Sequence, residues 1–179
     1  MRASVAARGI AGSTFDQVAR QAGVSRGLLH YYFGSKEQLL AGVVRRESDV
    51  RIERLEAAIA DAARAEDVLD ALVQSFEDFL GEGPPAAVMF YEMLNLGQRN
   101  AQIAAELTEL GRRTRSHLAD ALRGKSAAGV LSLRADADLV AAFLFALADG
   151  ITMRRLSEPD FDIEPLIEQA VGAARSLLS

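Results

Sequence analysis

Apolar residues recur at three- and four-residue intervals along almost the whole chain, and no stretch of strand length alternates with a period of two. That periodicity draws one apolar stripe on each of a series of helices and leaves nothing from which to build a sheet, so the expected fold is all-α. Breakers mark the helix ends. Thr14 is placed to cap a short helix running to about Ala22, which Gly23 ends, and a second helix runs from about Arg26 to Phe33 before Gly34. Ser35-Lys36-Glu37-Gln38 has the spacing of a capping box, so a longer helix is expected to continue past Leu40. Val68, Leu69, Leu72, Val73, Phe76, Phe79 and Leu80 form the next stripe. Gly81-Glu82-Gly83-Pro84-Pro85 interrupts it, and either proline can open the helix that carries Met89, Phe90, Met93 and Leu94. Asn100 starts a long helix expected to end near Gly124. Two more follow, one holding Leu139, Val140, Phe143, Leu144, Leu147 and Ile151, the other Leu166, Ile167, Val171, Leu177 and Leu178.

Charge divides the chain more sharply than its total suggests. Residues 1–46 carry seven basic side chains against Asp16 and Glu37, a net +5, whereas the rest carries 13 basic against 23 acidic, a net -10, together giving -5. A polyanion can dock on the first part while the second stays soluble and avoids nucleic acid. The division expected from these features is 1–46 and 47–179. The chain has no cysteine, which excludes disulfide frameworks, thiol nucleophiles and thiolate metal sites. Neither a signal-peptide pattern nor a run of roughly 18–20 uninterrupted apolar residues is visible, so a cytoplasmic protein with no membrane partner is expected.

The segment from Phe15 to Phe33 meets the physical requirements of a helix-turn-helix. Two short helices crossing steeply need a small residue where they touch, and Ala19 supplies it. The turn needs a left-handed residue, and Gly23 has no Cβ to clash at positive φ. Val18, Ala22, Val24 and Leu29 are spaced to bury one face, which leaves Ser25, Arg26, His30 and Tyr31 on or near the opposite one. An exposed face of polar and aromatic residues suits a major groove.

Ala22-Gly23-Val24-Ser25-Arg26-Gly27, followed by His30-Tyr31-Tyr32-Phe33 and Lys36, resembles the TetR family of repressors over about residues 8–45. The resemblance implies a three-helix DNA-binding domain followed by a larger helical ligand-binding and dimerisation bundle. In that family the second motif helix enters the major groove, and each protomer of a homodimer reads one half-site of a palindromic operator on double-stranded DNA. Carried onto this chain, Thr14, Ser25, Tyr32 and Lys36 hold phosphates, while Arg26, Gly27, Leu28, His30 and Tyr31 contact bases or their sugars. The chemistry agrees with this division: an arginine can pair bidentately with a guanine edge, and a lysine at a helix N-terminus is a simple cationic anchor. Phosphate contacts set register and base contacts specify. Of the family's longer first helix only Val5, Ala6 and Ile10 remain, so the native start is expected upstream of Met1.

The body offers little other chemistry. His30 and His117 fall in different segments, so no metal site is expected. Gly124-Lys125-Ser126 has the end of a phosphate-binding loop, but Ala119 stands where its first glycine belongs and a helix precedes it. Glu92, Glu106 and Glu109 have no nucleophile or oxyanion donor spaced with them, so no enzyme and no cofactor is expected. Met89, Phe90, Met93 and Phe143 are candidates for lining a deformable pocket for a small-molecule effector, or for plain core. The dimer implied by the resemblance pairs the last two helices, where Ala141, Ala142, Ala146 and Ala148 lie among Leu144, Leu147, Leu166, Ile167 and Val171. The competing reading is a helical ligand-binding or protein-interaction module that has lost DNA binding. Steep weakening of DNA binding by salt separates the two.

Overall fold

The computed structural model describes residues 4–5, 12–81 and 84–179, and its described residues form eight helices and no strand. They are α1 (Phe15–Ala22), α2 (Arg26–Phe33), α3 (Lys36–Asp61), α4 (Ala65–Gly81), α5 (Pro84–Gly97), α6 (Ala101–Ala127), α7 (Ala137–Ser157) and α8 (Glu164–Leu178). Of the family's first helix, Ala6 and Ile10 lie outside the described residues.

Local chemistry accounts for the ends of the first helices. Thr14 accepts the Gln17 N–H through its side-chain oxygen at 3.4 Å and donates its own N–H to Gln17 Oε1 at 3.1 Å, a reciprocal capping box that satisfies two otherwise orphaned donors. Gly23 sits at φ 68°; its N–H reaches the Arg20 carbonyl, and the Val24 N–H reaches the Ala19 carbonyl at 3.0 Å, which closes α1 in a Schellman turn. Ser25 caps α2 by accepting the Leu28 N–H at 3.2 Å, and Ser35 Oγ accepts the Gln38 N–H at 3.2 Å at the start of α3.

Two compact units divide the chain, one drawn from residues 1–48 and 82–111, the other from 49–81 and 112–179. In the first, Phe15, Val18, Ala19, Leu29 and Leu39 are buried together. Leu40, Ala41 and Val44 pack instead with Met89, Met93, Ile103 and Leu110. Leu39 and Leu40 are chain neighbours, so on a helix they point about 100° apart, and α3 presents one face to α1 and α2 and another to α5 and α6. A Cβ on Gly42 would stand 3.3 Å from the Phe33 ring, which fixes a close approach of α3 to the end of α2.

The second unit has a larger core in which Ile52, Leu55, Ile59, Val68, Leu69, Leu118, Leu122, Val140 and Leu178 are buried. Asp67 receives the N–H groups of Ala63 and Arg64 at 3.0 and 2.9 Å at the start of α4. Two backbone N–H groups of the segment after α6, from Ser132 and Arg134, are donated to the last carbonyls of α8, those of Leu178 and Leu177. Asp120 and Arg123 on α6 pair with each other, and Arg123 also reaches Asp138 on α7 at 2.9 Å.

Three sequence expectations need correction. Ala22 and Val24 are exposed rather than buried with Val18 and Leu29, because the buried stripe of α1 is Phe15, Val18 and Ala19 and ends before the turn. The long helix α6 does not end near Gly124 but continues to Ala127, since Leu122 is anchored in the core and Lys125 is held by carbonyls of the α3 end. One mid-helix glycine costs only about 1 kcal/mol, which such anchoring exceeds. Ala141 is wholly buried in the core of its own unit and Ala142 and Ala148 are half-buried, so of the four alanines expected at the interface only Ala146 is exposed, with Gly150 one turn on.

Candidate nucleic-acid interface

Helix α2 buries only Leu29, and the rest of its surface is open except for partly buried Phe33. Tyr31 is 83% exposed and Tyr32 71%, their rings meeting edge to face at 5.2 Å. Aromatic residues left so far out of a core that has room for Phe33 are poor folding choices and good binding ones. Leu28 is exposed as well, and Gly27 has open space over its Cα, with only Ser25 Oγ within 4 Å of where a Cβ would stand. A partner backbone can approach closely there.

A cleft beside this surface is lined by Thr14, Phe15, Asp16, Arg26, His30, Gly34, Ser35 and Lys36. The N-terminal ends of α1 and α3 both border it, and each contributes a partial positive charge and backbone N–H groups that favour an anion. Arg26 and Lys36 add full charges on its wall, while Asp16 opposes them. Ser25 and Thr14 are exposed, with their side-chain oxygens engaged in capping.

The charged side chains of this surface are tied to one another. Arg26 Nη1 donates to Asp16 Oδ2 at 3.3 Å, and Arg26 Nε donates to His30 Nε2 at 3.3 Å. His30 Nδ1 lies 3.3 Å from the Gly34 carbonyl oxygen, and the imidazole stands edge-on to the Phe15 ring with centroids 4.4 Å apart.

The nine residues expected at DNA thus fall on one contiguous stretch, Thr14 and the segment from Ser25 to Lys36, and all but Lys36 are exposed. Sequence reasoning missed Asp16 as a partner of Arg26 and Gln17 as a capping residue. The second was signalled by the Thr14-x-x-Gln17 spacing; the first needed the crossing of α1 and α2, which puts residues ten positions apart in contact. Of the four pocket candidates, Met89, Phe90 and Met93 come together around Leu40, Val44 and Ile103 in the first unit, both methionines fully buried. Phe143 belongs to the second unit and is 44% exposed.

Elsewhere several charges are paired. Arg45 reaches Glu106 at 3.1 Å, Arg113 pairs with Asp49, and His117 Nδ1 lies 2.6 Å from Glu56 Oε1. Among the described residues no cluster of three or more histidines and carboxylates could hold a metal ion, and no helix is long and apolar enough to cross a membrane.

Comparison with known proteins gives this geometry a context. Residues 2–43 match the model of bacterial regulatory proteins of the tetR family, and residues 65–179 match that of the C-terminal region of BetI-type transcriptional repressors. The HTH-type transcriptional regulator BetI of Rhizobium meliloti is 34% identical over 145 residues, covering 79% of this chain and 67% of the relative. Its counterpart in Agrobacterium fabrum is 35% identical over 145 residues, covering 79% and 66%, so the chain spans about two thirds of the length of these relatives. Among solved structures, a TetR-family regulator from Rhodococcus sp. superposes with a TM-score of 0.80 at 24% identity, covering 99% of this chain and 94% of that one. A transcriptional regulator from Saccharomonospora viridis in complex with choline has a TM-score of 0.71 at 23% identity, covering 93% and 86%. FadR from Bacillus subtilis in complex with stearoyl-CoA has 0.75 at 22%, covering 99% and 95%. With a helix-turn-helix surface at one end and family matches over most of its length, this chain belongs to the TetR family of DNA-binding transcriptional regulators, with a BetI-type C-terminal region.

Proposed function

We propose that the chain represses transcription in the cytoplasm by occupying a palindromic operator as a homodimer, and that a small organic ligand releases it. The observation that carries this reading is the open α2 surface, where Arg26, Leu28, His30, Tyr31 and Tyr32 stand exposed beside two helix N-termini. Arg26, Gly27, Leu28, His30 and Tyr31 face bases or sugars in this proposal, and Thr14, Ser25, Tyr32 and Lys36 face phosphates. Residues 1–46 form the DNA-binding part and 47–179 the ligand-binding and dimerising part.

Dimerisation through α7 and α8 is supported by the apolar surface they leave open. Leu139 is 63% exposed, Phe143 44%, Met153 48% and Leu166 on α8 37%. On α7, Leu139, Phe143, Ala146, Gly150 and Met153 follow a helical spacing on one exposed face, and its small members let a second helix approach closely. For the ligand, Met89, Phe90 and Met93 of the first unit are the proposed lining, and Phe143 is assigned to the dimer face instead. The two ligand-bound neighbours hold choline in one and stearoyl-CoA in the other, so a quaternary ammonium and an acyl-CoA are the first two compounds to screen. Release by a ligand requires that it bind the two states of the repressor with different affinity, and DNA then weakens ligand binding by the same factor.

Selection from a random duplex library at several salt concentrations tests the proposal. The expected result is a palindromic site with half-sites about one helical turn apart, bound more weakly as salt rises and lost in Arg26→Ala. Recovery of no sequence by a folded chain would overturn it.

A further inference from the structure

Arg26 is an exposed arginine that does not hang loose. Its Nη1 donates to Asp16 Oδ2 and its Nε to His30 Nε2, each at 3.3 Å, so two points on different helices hold one guanidinium. The histidine is itself held. The Gly34 carbonyl 3.3 Å from Nδ1 can only accept, so Nδ1 carries the proton and Nε2 is the acceptor that Arg26 needs; a single neutral tautomer satisfies both contacts. The Phe15 ring, buried in the small core, meets the imidazole edge-on at 4.4 Å and fixes its plane. The chain of support runs from the core through Phe15 and His30 to Arg26, with Asp16 bracing the other side.

We propose that Asp16 and His30 are positioning residues for base recognition: they present the Arg26 guanidinium so that its remaining N–H groups meet a guanine at one position of each half-site. This rests on the reading of Arg26 as a base contact. A guanidinium has five N–H groups, and the two contacts use one on Nε and one on Nη1. One N–H on Nη1 and two on Nη2 remain, enough for a fork onto the O6 and N7 of a guanine when Asp16 takes the Nη1 hydrogen that points back along the side chain, so the buttress and the base can be held at once. An ion pair as exposed as Asp16 with Arg26 adds little to folding stability. Its effect is on order: a long side chain already confined loses less freedom on meeting DNA. Asp16 also repels the phosphates around it, a cost in overall affinity that positioning alone offsets.

The test measures base preference at every operator position for the full chain and for Arg26→Ala, Asp16→Ala and His30→Phe, the last keeping a ring against Phe15 while removing the acceptor. Thermal melts confirm that each variant is folded. Arg26→Ala is expected to erase one guanine preference per half-site. Asp16→Ala, at a residue outside the proposed contact set, is expected to reduce that same preference about three- to tenfold and leave the other positions unchanged, and His30→Phe to reduce it by a similar factor in addition to any change at the position His30 itself faces. Asp16→Ala should in addition bind random duplex at least as tightly as the parent chain, since it removes a negative charge. A purely structural role would weaken all positions together. If Arg26→Ala erases the preference while Asp16→Ala keeps or sharpens it, the positioning role is overturned and the base contact stands. If Arg26→Ala erases nothing, both fall.

Discussion

The ammonium of Lys125 on α6 lies 2.7 Å from the carbonyl oxygen of Ala62, just past the end of α3, and equally close to that of Ala60. Carbonyls at a helix C-terminus lack intrahelical partners and carry partial negative charge, so one cation serves two of them. Lys125→Met keeps the aliphatic stem and removes both bonds. Charge-assisted hydrogen bonds contribute about 1.5–3 kcal/mol each when buried, and partial exposure brings the expected loss for the pair to about 1–2 kcal/mol. Urea unfolding should show it with DNA affinity per folded molecule unchanged; an unaltered midpoint would refute the role.

Two glycines of the reading head should respond in opposite directions. Gly23 holds φ 68° with nothing near its Cα, so Gly23→Ala meets only the backbone penalty for a left-handed residue, about 1–2 kcal/mol. Gly27 lies inside α2 and has open space, so Gly27→Ala should raise stability by up to about 1 kcal/mol. In the proposed complex that same methyl group faces a base or sugar of the duplex, and operator affinity should fall. Melting curves and operator titrations on both variants check the pair, and a Gly27→Ala chain that binds as well as its parent removes Gly27 from the interface.

A charge on the open face of α7 should separate protomers without unfolding them. Leu139→Glu alters a side chain 63% exposed in the single chain. Burying a leucine contributes about 1.5–3 kcal/mol, and a two-fold interface counts each substitution twice, so dimerisation should weaken by at least about a hundredfold. Sedimentation velocity reads this directly. A variant that stays dimeric moves the interface elsewhere.

Asp67 gives an acid-side signature. The Arg64 side chain, followed by the Ala63 and Arg64 N–H groups, holds its carboxyl below the ordinary carboxylate range. A depressed carboxyl stabilises the fold above its unfolded value, and that contribution disappears as pH falls through the folded one. The Tm difference between the parent chain and Asp67→Asn should therefore be present at neutral pH and close in acid. A gap that persists below the carboxylate range would assign the effect to shape rather than charge.

Much of this architecture was legible in the sequence because its signals are local. Gly23, Ser25, Gly34 and Ser35 act on neighbours within one turn, and the helices they delimit fall where spacing put them. The surface residues of α2 were legible for the same reason, since one buried residue, Leu29, fixes which way the others point. What escaped depends on tertiary neighbours. Nothing near Asp16 in sequence points to Arg26, and Gly124 reads as a helix end unless one knows that Lys125 is moored to another helix. The exposure of Ala22 and Val24 belongs to the same class, because a short stripe does not say where its last contact lies.

Leu39 and Leu40 also bear on transplantation. A designer wishing to give this operator preference to another regulator would naturally cut after α3 has begun and carry the first segment across. The cut would take Leu40, Ala41 and Val44 along while leaving behind Met89, Met93, Ile103 and Leu110, the side chains they are packed against. A graft of residues 1–48 would arrive with half a core, and its success would turn on whether the recipient's helices happen to supply the missing half. The portable cassette is discontinuous: the reading segment travels together with 82–111, or with a recipient surface redesigned to match it.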